Sequence, residues 1–259
     1  MENTLELISY NLNGVRSAVS KGLADWIKET HYDIYLFQET KAHEYDIPKE
    51  LFEELGYHVY LHSAQKKGYS GVAILTKLKP DFVNNGIGIK KYDDEGRLIR
   101  MDIGDITIIN SYFPSGSSGE ERQGVKMNYL DDFFTYIHEL RQSRPKIIIS
   151  GDYNICHQAI DIHDPVGNKN NSGFLPEERA WMTKYFDSGF IDTFRHFNAD
   201  VKHEYSWWSF RANARNNNKG WRIDYNVVTN ELKTQLLDAK IFQEVKHSDH
   251  CPVYLKIKR

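Results

Sequence analysis

The chain has 259 residues, with a hydrophobic fraction of 40%, a charged fraction of 27% and a formal net charge of -3 at pH 7. This composition is typical of a globular protein with a sizeable core, and the net charge excludes a global positive field that would attract polyanions. A nucleic-acid surface would therefore have to be a local patch. The 2 cysteines, Cys156 and Cys251, show no CxxC or zinc-type spacing, so no disulfide framework is implied.

The N-terminal segment and the hydrophobic runs bear on location. Residues 1–6 include two acidic side chains and lack the apolar centre of a signal peptide. No apolar run approaches the roughly 18 residues that a membrane-spanning helix needs. We therefore expect a cytoplasmic protein without a membrane segment.

The hydrophobic pattern predicts strands and helices along the whole chain. The predicted strands cover residues 5–10, 33–39, 57–61, 71–75, 99–103, 106–112, 146–154, 222–228 and 252–257. The predicted helices cover residues 23–30, 48–55 and 125–140, and a further helix begins at Pro176. The strands over 99–103 and 106–112 are expected to have two faces of different character. No repeat or linker divides the chain, so we expect one α/β domain over residues 1–259, with mixed sheets packed face to face and helices outside.

The segment 146–154 reads Lys-Ile-Ile-Ile-Ser-Gly-Asp-Tyr-Asn and is the most informative stretch. Its β-branched run predicts a strand that is buried on both faces and stops at Gly151. Asp152 and Asn154 are two residues apart, so in extended geometry both side chains face one point at the mouth of a sheet. Gly, Asp and Asn are also turn residues, and the segment by itself favours a turn.

Other predicted strands also end in residues that can bind a metal or transfer a proton. Together with Asp152, these strand-end residues are Asn11, Glu39, Tyr112, Asn154, Asp224, Asp249 and His250. Each alone is more often a cap, a turn or a solvated side chain, but a whole set at one kind of position is harder to explain in that way. Glu39 and Asp249 are hard oxygen ligands, which suit Mg²⁺ or Mn²⁺ and not zinc. The set lacks a nucleophilic Ser or Cys elbow and a Gly-rich nucleotide loop, so it favours metal-assisted attack of water on a phosphate ester.

Five motifs resemble, in order, those of the exonuclease III family of apurinic/apyrimidinic endonucleases, within the endonuclease/exonuclease/phosphatase superfamily. They cover residues 9–14, 36–41, 151–154, 220–225 and 248–250. Gln-Glu-Thr-Lys and Gly-Trp-Arg-Ile-Asp with Ser-Asp-His are specific, whereas Gly-Asp-x-Asn or Ser-Asp-His alone marks only the superfamily. The resemblance implies a four-layer α/β sandwich and a DNA-repair endonuclease that cuts duplex DNA 5′ to an abasic site. It also implies some 3′-phosphodiesterase or 3′–5′ exonuclease activity.

The resemblance further implies a metal site built around one carboxylate. Glu39 would hold Mg²⁺, for which Mn²⁺ can substitute, and Asn11, Asn13 and Asp249 would lie near the metal shell. Asn13 departs from the animal relatives, which carry an acid at this position.

The remaining strand-end residues receive catalytic roles from the same resemblance. Asp152 would orient or deprotonate the attacking water, and Asn154 and Tyr112 would contact the scissile phosphate. His250, paired with Asp224, would bind a phosphate oxygen and stabilise the charge that builds there. These roles fit phosphoryl transfer, which is mainly positioning and charge neutralisation.

The segment 207–222 is basic and aromatic, with no acid. On composition alone it reads as a solvated loop whose Trp residues anchor in the core, whereas the family pattern favours DNA contacts. The DNA-contacting positions implied by the resemblance are Arg16, Lys21, Gly68, Tyr69, Asn168, Asn171, Trp207, Trp208, Arg211, Trp221 and Ile223. Among them, Trp207, Trp221 and Ile223 match positions that line a pocket for a flipped, base-free sugar. Two departures are Ser115, which replaces a phosphate-holding amide, and Arg211, which replaces a wedging Met of animal relatives.

Two other functions stay open at this point. One is a phosphatase of the same superfamily that acts on a lipid headgroup, against which the Trp- and Arg-rich segment before Asp224 argues. The other is a DNA-binding module without activity, which would not need the full set of acid, amide and His residues. The partner expected on balance is duplex DNA with abasic sites, bound by a monomer at the nucleoid.

Overall fold

A computed structural model describes residues 3–259. Met1 and Glu2, which belong to the segment used above for the signal-peptide prediction, lie outside the described residues. The strands are β1 (Thr4–Asn11), β2 (Ile34–Gln38), β3 (His58–His62), β4 (Val72–Thr76), β5 (Phe82–Asn85), β6 (Leu98–Ile103), β7 (Ile106–Tyr112), β8 (Lys146–Asp152), β9 (Phe190–Asp192), β10 (Asp224–Thr229), β11 (Leu236–Ile241) and β12 (Val253–Lys258).

The α-helices are α1 (Val15–Ser20), α2 (Leu23–Thr30), α3 (Lys49–Glu54), α4 (Lys90–Asp93), α5 (Glu120–Ser143), α6 (Pro176–Asp187) and α7 (Thr193–Phe197). Short 3₁₀ segments cover Glu44–Asp46, Ala159–Asp161, Arg211–Asn213 and Asn230–Gln235. Across residues 3–259, no helix combines the length and apolarity needed to cross a bilayer.

The strands form two six-stranded sheets. The first has the order β11-β12-β1-β2-β4-β3 and the second the order β5-β6-β7-β8-β10-β9. In the first sheet, β1 pairs parallel with β2 and antiparallel with β12. In the second, β7 pairs parallel with β8, which pairs antiparallel with β10. Both sheets are therefore mixed, as the sequence predicts.

Three hydrophobic clusters place the sheets and helices in four layers. One fills the space between the sheets and contains side chains from both, such as Leu36 and Ile148. A second packs the outer face of the second sheet against α5 and α6, with Phe133 at its centre. A third packs the outer face of the first sheet against α2 and α3, through residues such as Ile27. The predicted four-layer α/β sandwich is confirmed.

Some elements differ from the prediction. The hydrophobic pattern did not indicate β5, β9, β11 or the short helices α1, α4 and α7, because these elements are brief and, in β5, largely exposed. The prediction that residues 106–112 have two different faces is wrong, since every residue of β7 is buried. Asn110 is tolerated there because its amide donates to the Phe37 and Ala73 carbonyls of the other sheet. Strand β8 also runs one residue past Gly151, to Asp152.

The strand register brings the predicted polar residues to one edge of the sandwich. In the second sheet, Tyr112 pairs with Asp152, and Asp152 pairs with Asp224. In the first sheet, Asn11 pairs with Gln38, so Glu39 follows directly beside it. Parallel strands end at the same edge, which explains why residues far apart in sequence meet there.

Candidate active site

The two sheets meet through the side chain of Asn11. Its Nδ2 donates to Glu39 Oε1 at 2.9 Å and to Asp152 Oδ2 at 2.9 Å. Its Oδ1 accepts from the Asn13 backbone N–H at 2.9 Å. A fully buried amide therefore sets the distance between a carboxylate from each sheet.

Several site residues have positive φ, a backbone region that glycine adopts easily, Asn less easily and other residues rarely. Asn13 and Glu39 have φ of 47°, and Asn154 has φ of 54°. Such conformations cost on the order of 1–3 kcal/mol each and occur mostly at functional sites. At Asn154, the backbone N–H donates to Asp152 Oδ1 at 2.8 Å and Nδ2 donates to the Phe113 carbonyl at 2.9 Å. These bonds fix the side chain of Asn154 beside Asp152.

His250 and Asp224 form a buried ionic pair. His250 Nδ1 donates to Asp224 Oδ2 at 2.9 Å, and Ser206 Oγ donates to the same oxygen at 2.6 Å. Burial opposes protonation of His250, but Asp224, Asp152 and Asp249 outweigh it and raise its pKa to about 10. At neutral pH the imidazole is therefore a cation with a fixed orientation.

Burial and neighbouring charges also shift the pKa values of Asp152 and Tyr112, which lie around this cation. Burial, with the charges of Asp224 and Glu39, raises the pKa of Asp152 above its ordinary value, although His250 opposes the shift. Burial and the charges of Glu39 and Asp152 raise the pKa of Tyr112 well above its ordinary value, so the hydroxyl stays protonated. Asp152 therefore favours binding a proton or a cation, and the neighbouring Tyr112 hydroxyl can donate a hydrogen bond.

Glu39, Asp152 and His250 form a cluster whose ligand atoms all lie within 4.8 Å of one another. The two carboxylates fit a hard divalent cation. His250 does not fit as a ligand, because Asp224 holds its Nδ1 and keeps the ring cationic. Burial tends to raise the pKa of Glu39, but Lys41 and Asn11 outweigh it and lower that pKa, so Glu39 is ionised and ready for a cation.

The other predicted metal-shell residues lie outside that cluster. Asn13 Nδ2 donates to Asp249 Oδ1 at 2.9 Å, and Lys41 Nζ donates to Asn13 Oδ1. Asp249 Oδ2 accepts from Trp207 Nε1 at 3.0 Å. Both oxygens of Asp249 are therefore engaged by protein donors in this structure. Glu39 and Asp152, in contrast, belong to the cluster itself.

A cavity of about 280 Å³ adjoins these groups. Trp207, Trp221 and Ile223 form one wall, and Glu39, Asp152, Asn154, Tyr112, Ser115, Asp249 and His250 are among the other lining residues. Trp207 and Trp221 pack edge to face, with ring centroids 6.0 Å apart. The structure therefore brings the predicted sugar-binding residues to one cavity with the predicted catalytic residues except Asp224, which lies behind His250, and Ser115 also lines it.

The predicted DNA contacts outside the cavity vary in accessibility. Arg16, Lys21, Gly68, Asn171 and Arg211 are exposed. Tyr69 is half-buried, and its hydroxyl accepts from Arg97 and Arg122, each at 2.8 Å. Asn168 accepts from Asn171 Nδ2 at 2.8 Å, which stiffens the loop that carries both.

Trp208 is a correction to the prediction. Its side chain is 2% exposed and packs with Tyr205, Ala214 and Cys251, so it anchors the 207–222 segment instead of contacting DNA. The basic residues of that segment likewise divide into buried or partnered side chains and exposed ones. Arg222 is fully buried and bonds to Asp161 and Asp192, while Arg215 donates to backbone carbonyls. The reading of a loop with Trp anchors is thus correct for half of the segment, and Arg211 and Lys219 are its exposed cations.

The sequence prediction did not assign roles to two cations and one hydroxyl near the site. Lys41 forms an ion pair with Glu39 at 2.9 Å and belongs to the Gln-Glu-Thr-Lys motif, so that motif could have indicated it. Arg97 donates to the Tyr112 carbonyl at 3.0 Å, and Ser206 bonds to Asp224; neither has a local sequence signal.

Carboxylates at strand ends, a buried His–Asp pair and an adjoining cavity define the class of metal-assisted hydrolases that act on phosphate esters. Comparison with known proteins narrows this class. The chain belongs to the Endonuclease/Exonuclease/phosphatase family, whose sequence profile matches residues 8–250.

Full-length relatives and a solved structure agree with this membership. An exodeoxyribonuclease from Bacillus subtilis (strain 168) is 42% identical over 254 residues, which cover 98% of this chain and 99% of the relative. The DNA repair nuclease APEX1 from Danio rerio is 38% identical over 253 residues, which cover 97% of this chain and 81% of the relative. The structure of an AP endonuclease from Archaeoglobus fulgidus superposes with a TM-score of 0.90 at 30% identity, covering 98% of this chain and 100% of that one. The predicted family, fold and hydrolytic enzyme class are confirmed.

Proposed function

We propose that this DNA-repair nuclease uses Mg²⁺ to hydrolyse the phosphodiester 5′ to abasic sites in duplex DNA. The observation that carries the proposal is the shared cavity, in which an apolar wall of Trp207, Trp221 and Ile223 faces Asp152 and His250. A lipid phosphatase would not need that apolar wall, nor an exposed cation such as Arg211 in the segment between Trp207 and Trp221. We further propose that the chain acts as a cytoplasmic monomer of one domain, associated with the nucleoid through DNA.

Glu39 is the residue that would hold the cation, with Asp152 facing the same point and Asn11 orienting both. When bound there, Mg²⁺ would act as a Lewis acid that offsets charge on the phosphate, and Mn²⁺ has suitable ligand preferences to replace it. Asp249 and Asn13 would orient groups around the cation. The neutral Asn13, which replaces an acid of animal relatives, leaves less negative charge for a second ion.

Asp152 is placed to act on the attacking water. Within residues 3–259 its oxygens accept only from Asn11 and Asn154, so the carboxylate is held in one orientation. A buried carboxylate with a raised pKa is a stronger base than a solvated one. It would orient the water and take up its proton as the bond to phosphorus forms.

Three other groups would bind the phosphate. His250 supplies a fixed positive charge, which Asp224 maintains, and Tyr112 supplies a protonated hydroxyl. Asn154 has an amide whose Nδ2 donates to the Phe113 carbonyl at 2.9 Å and to Asp152 Oδ2 at 3.2 Å, and it would contact the phosphate by exchanging the longer bond. Preorganised donors of this kind stabilise charge that develops in the transition state.

The apolar wall would select the damaged nucleotide. A base-free sugar is small and has no base edge to bond, so it fits where a nucleotide does not. Flipping costs a few kcal/mol, and least where no base is stacked, so the lesion itself favours entry. Arg211, which is exposed, would fill or support the gap left in the duplex. The same cavity would admit a 3′ end, which accounts for a 3′-phosphodiesterase or 3′–5′ exonuclease side activity.

The decisive experiment is cleavage of a duplex oligonucleotide that carries one tetrahydrofuran abasic analogue, with Mg²⁺ and with EDTA. We expect a single cut on the 5′ side of the analogue that requires Mg²⁺. An intact abasic duplex, together with release of phosphate from a lipid headgroup, would replace this proposal with the phosphatase function.

Shrinking the wall should reduce discrimination against normal nucleotides. In Trp221→Ala, the cavity gains room for a base, so we expect the ratio of kcat/KM on undamaged duplex to that on abasic duplex to rise by about tenfold. Phe82→Ala, at the remote edge strand β5, is the matched aromatic control. An unchanged ratio in folded Trp221→Ala protein would show that the selective pocket lies elsewhere.

Asp224 should set the alkaline limit of activity. Because its charge raises the pKa of His250 to about 10, the cation persists through neutral pH and is lost only as pH rises through that value. In Asp224→Asn we expect the alkaline limb of the pH–kcat profile to move toward the ordinary His range. An alkaline limb that stays in place would assign that ionisation to another group.

A further inference from the structure

Lys126 on α5 is a fully buried lysine whose ammonium contacts the backbone of Asn154, in the loop that follows β8. Its Nζ donates to the Asn154 carbonyl at 2.8 Å and forms an ion pair with Glu178 of α6, also fully buried. Among residues 3–259, no other side chain donates a hydrogen bond to that carbonyl. Asn154 has the strained φ of 54°, so its backbone needs an external support.

Glu178 links Lys126 to Gly173, which lines the cavity. Its Oε2 accepts from the backbone N–H of Gly173 at 2.7 Å and of Leu175 at 3.0 Å. Its Oε1 accepts from Lys126 and also from Gln123 at 3.1 Å. One carboxylate therefore ties α5 to the segment that leads into α6.

Gly173 lies between Trp221 of the cavity wall and the backbone of Asn154. It lines the cavity with Trp221, and a Cβ added there would lie 2.9 Å from Trp221 Cζ3 and 3.2 Å from the Asn154 carbonyl oxygen. Its φ of +97° also requires glycine. A shift of this residue would move the Trp221 ring and the Asn154 backbone together.

A buried ion pair is a poor way to stabilise a fold, because desolvation offsets most of its attraction. Apolar residues of the same volume would hold α5 and α6 together as well. The pair does, however, supply two things that apolar residues cannot: a donor for the Asn154 carbonyl and an acceptor for the Gly173 amide.

We propose that Lys126 and Glu178 are positioning residues, which hold Asn154 and the Gly173–Trp221 wall in the geometry required for hydrolysis. This inference rests on the proposed function. Neither residue touches the reacting atoms; the effect passes through the Asn154 backbone and through Gly173. Misplacement of a catalytic group by about 1 Å can lower a rate on the order of 10²-fold.

Three variants separate positioning from stability. In Lys126→Met, both the ion pair and the donor to Asn154 are lost, so we expect kcat to fall by roughly 10-fold to 100-fold with little change in KM. A buried unpaired charge should also lower the melting temperature by roughly 10 °C. In Glu178→Gln the lysine still reaches Asn154, so we expect a similar loss of melting temperature but a smaller loss of kcat. In the double variant Lys126→Met/Glu178→Gln no buried charge is left unpaired, so stability should return while kcat stays low.

Arg141→Met is the matched control on the same helix. Arg141 bonds to the Ser188 carbonyl at 3.0 Å and to Glu231 at 2.9 Å, far from the cavity. This variant should lose stability and keep kcat. All rates are measured well below the melting temperatures, on the abasic duplex with saturating Mg²⁺.

The outcomes are distinct. Recovery of kcat together with stability in the double variant would overturn the inference, because the pair would then be structural only. Wild-type kcat in folded Lys126→Met would also overturn it. If the wild-type protein itself does not cut the abasic duplex, the proposed function fails, and that result is recognisable before any variant is compared.

Discussion

Asp152→Asn is expected to lower kcat by at least about 10²-fold. The metal-free variant should be as stable as the wild type or more stable. The rate falls because an amide cannot take a proton from the attacking water. His250→Asn should lose activity on the same scale, since it removes the cation that we propose binds the phosphate. Both variants should still bind abasic DNA.

The expected stability of Asp152→Asn follows from the surroundings of the carboxylate. Burial and the nearby charges of Asp224 and Glu39 raise the pKa of Asp152 in the folded protein, so the fold disfavours its ionised form. A neutral residue removes that unfavourable charge. The gain is limited because Asn11 and Asn154 both donate to this position, and an amide can accept only through its oxygen.

Single-turnover cleavage, thermal unfolding with EDTA and binding of an abasic duplex test this prediction together. Asp200→Asn, at an exposed position, serves as the control for the chemical change. A large fall in melting temperature that parallels the loss of activity would make Asp152 a structural residue. Retained activity would move the role of base to another group.

Residues at strand ends were predictable because the signals that place them are local. An apolar run followed by Gly-Asp-Tyr-Asn fixes the end of β8 and points Asp152 toward the sheet edge, whichever strands pair with it. The sequence does not tell which edge residues meet. Asn11 lies 141 residues from Asp152 in the chain, and only the sheet order brings them to 2.9 Å.

The basic segment shows where a local reading fails. Arg222 has the sequence context of a DNA-binding cation, but its partners, Asp161 and Asp192, lie 61 and 30 residues away. Lys126 has the opposite context, on a helix of mixed charge that suggests a solvated face, yet Glu178, 52 residues away, holds it in the interior. Charge patterns predict surfaces only when the countercharges are local.

Glu39→Gln is expected to weaken Mg²⁺ binding by at least about tenfold and to lower kcat at subsaturating Mg²⁺ accordingly. Burial tends to raise the pKa of Glu39, but Lys41 and Asn11 outweigh it and hold that pKa below its ordinary value, so the carboxylate is ionised. Gln keeps the shape and can still accept from Asn11, so the fold should persist.

The substitution acts on the cation twice, and both effects have the same sign. It removes a negative charge from the cluster with Asp152, and it leaves the Lys41 ammonium, now 2.9 Å from Glu39 Oε2, without its neutralising partner. An uncompensated positive charge beside the site repels a divalent ion. A loss larger than that of an ordinary ligand is therefore expected.

Isothermal titration with Mn²⁺ and Mg²⁺ in the absence of DNA measures this affinity independently of catalysis. Glu44→Gln, an exposed neighbour with no contact to the cluster, is the control. If folded Glu39→Gln bound the ion and cut abasic duplex like the wild type, the ion would have to lie nearer Asp249. In that case Asp249→Asn, and not Glu39→Gln, would abolish binding, because Asp249 lines the same cavity as Glu39 and Asp152.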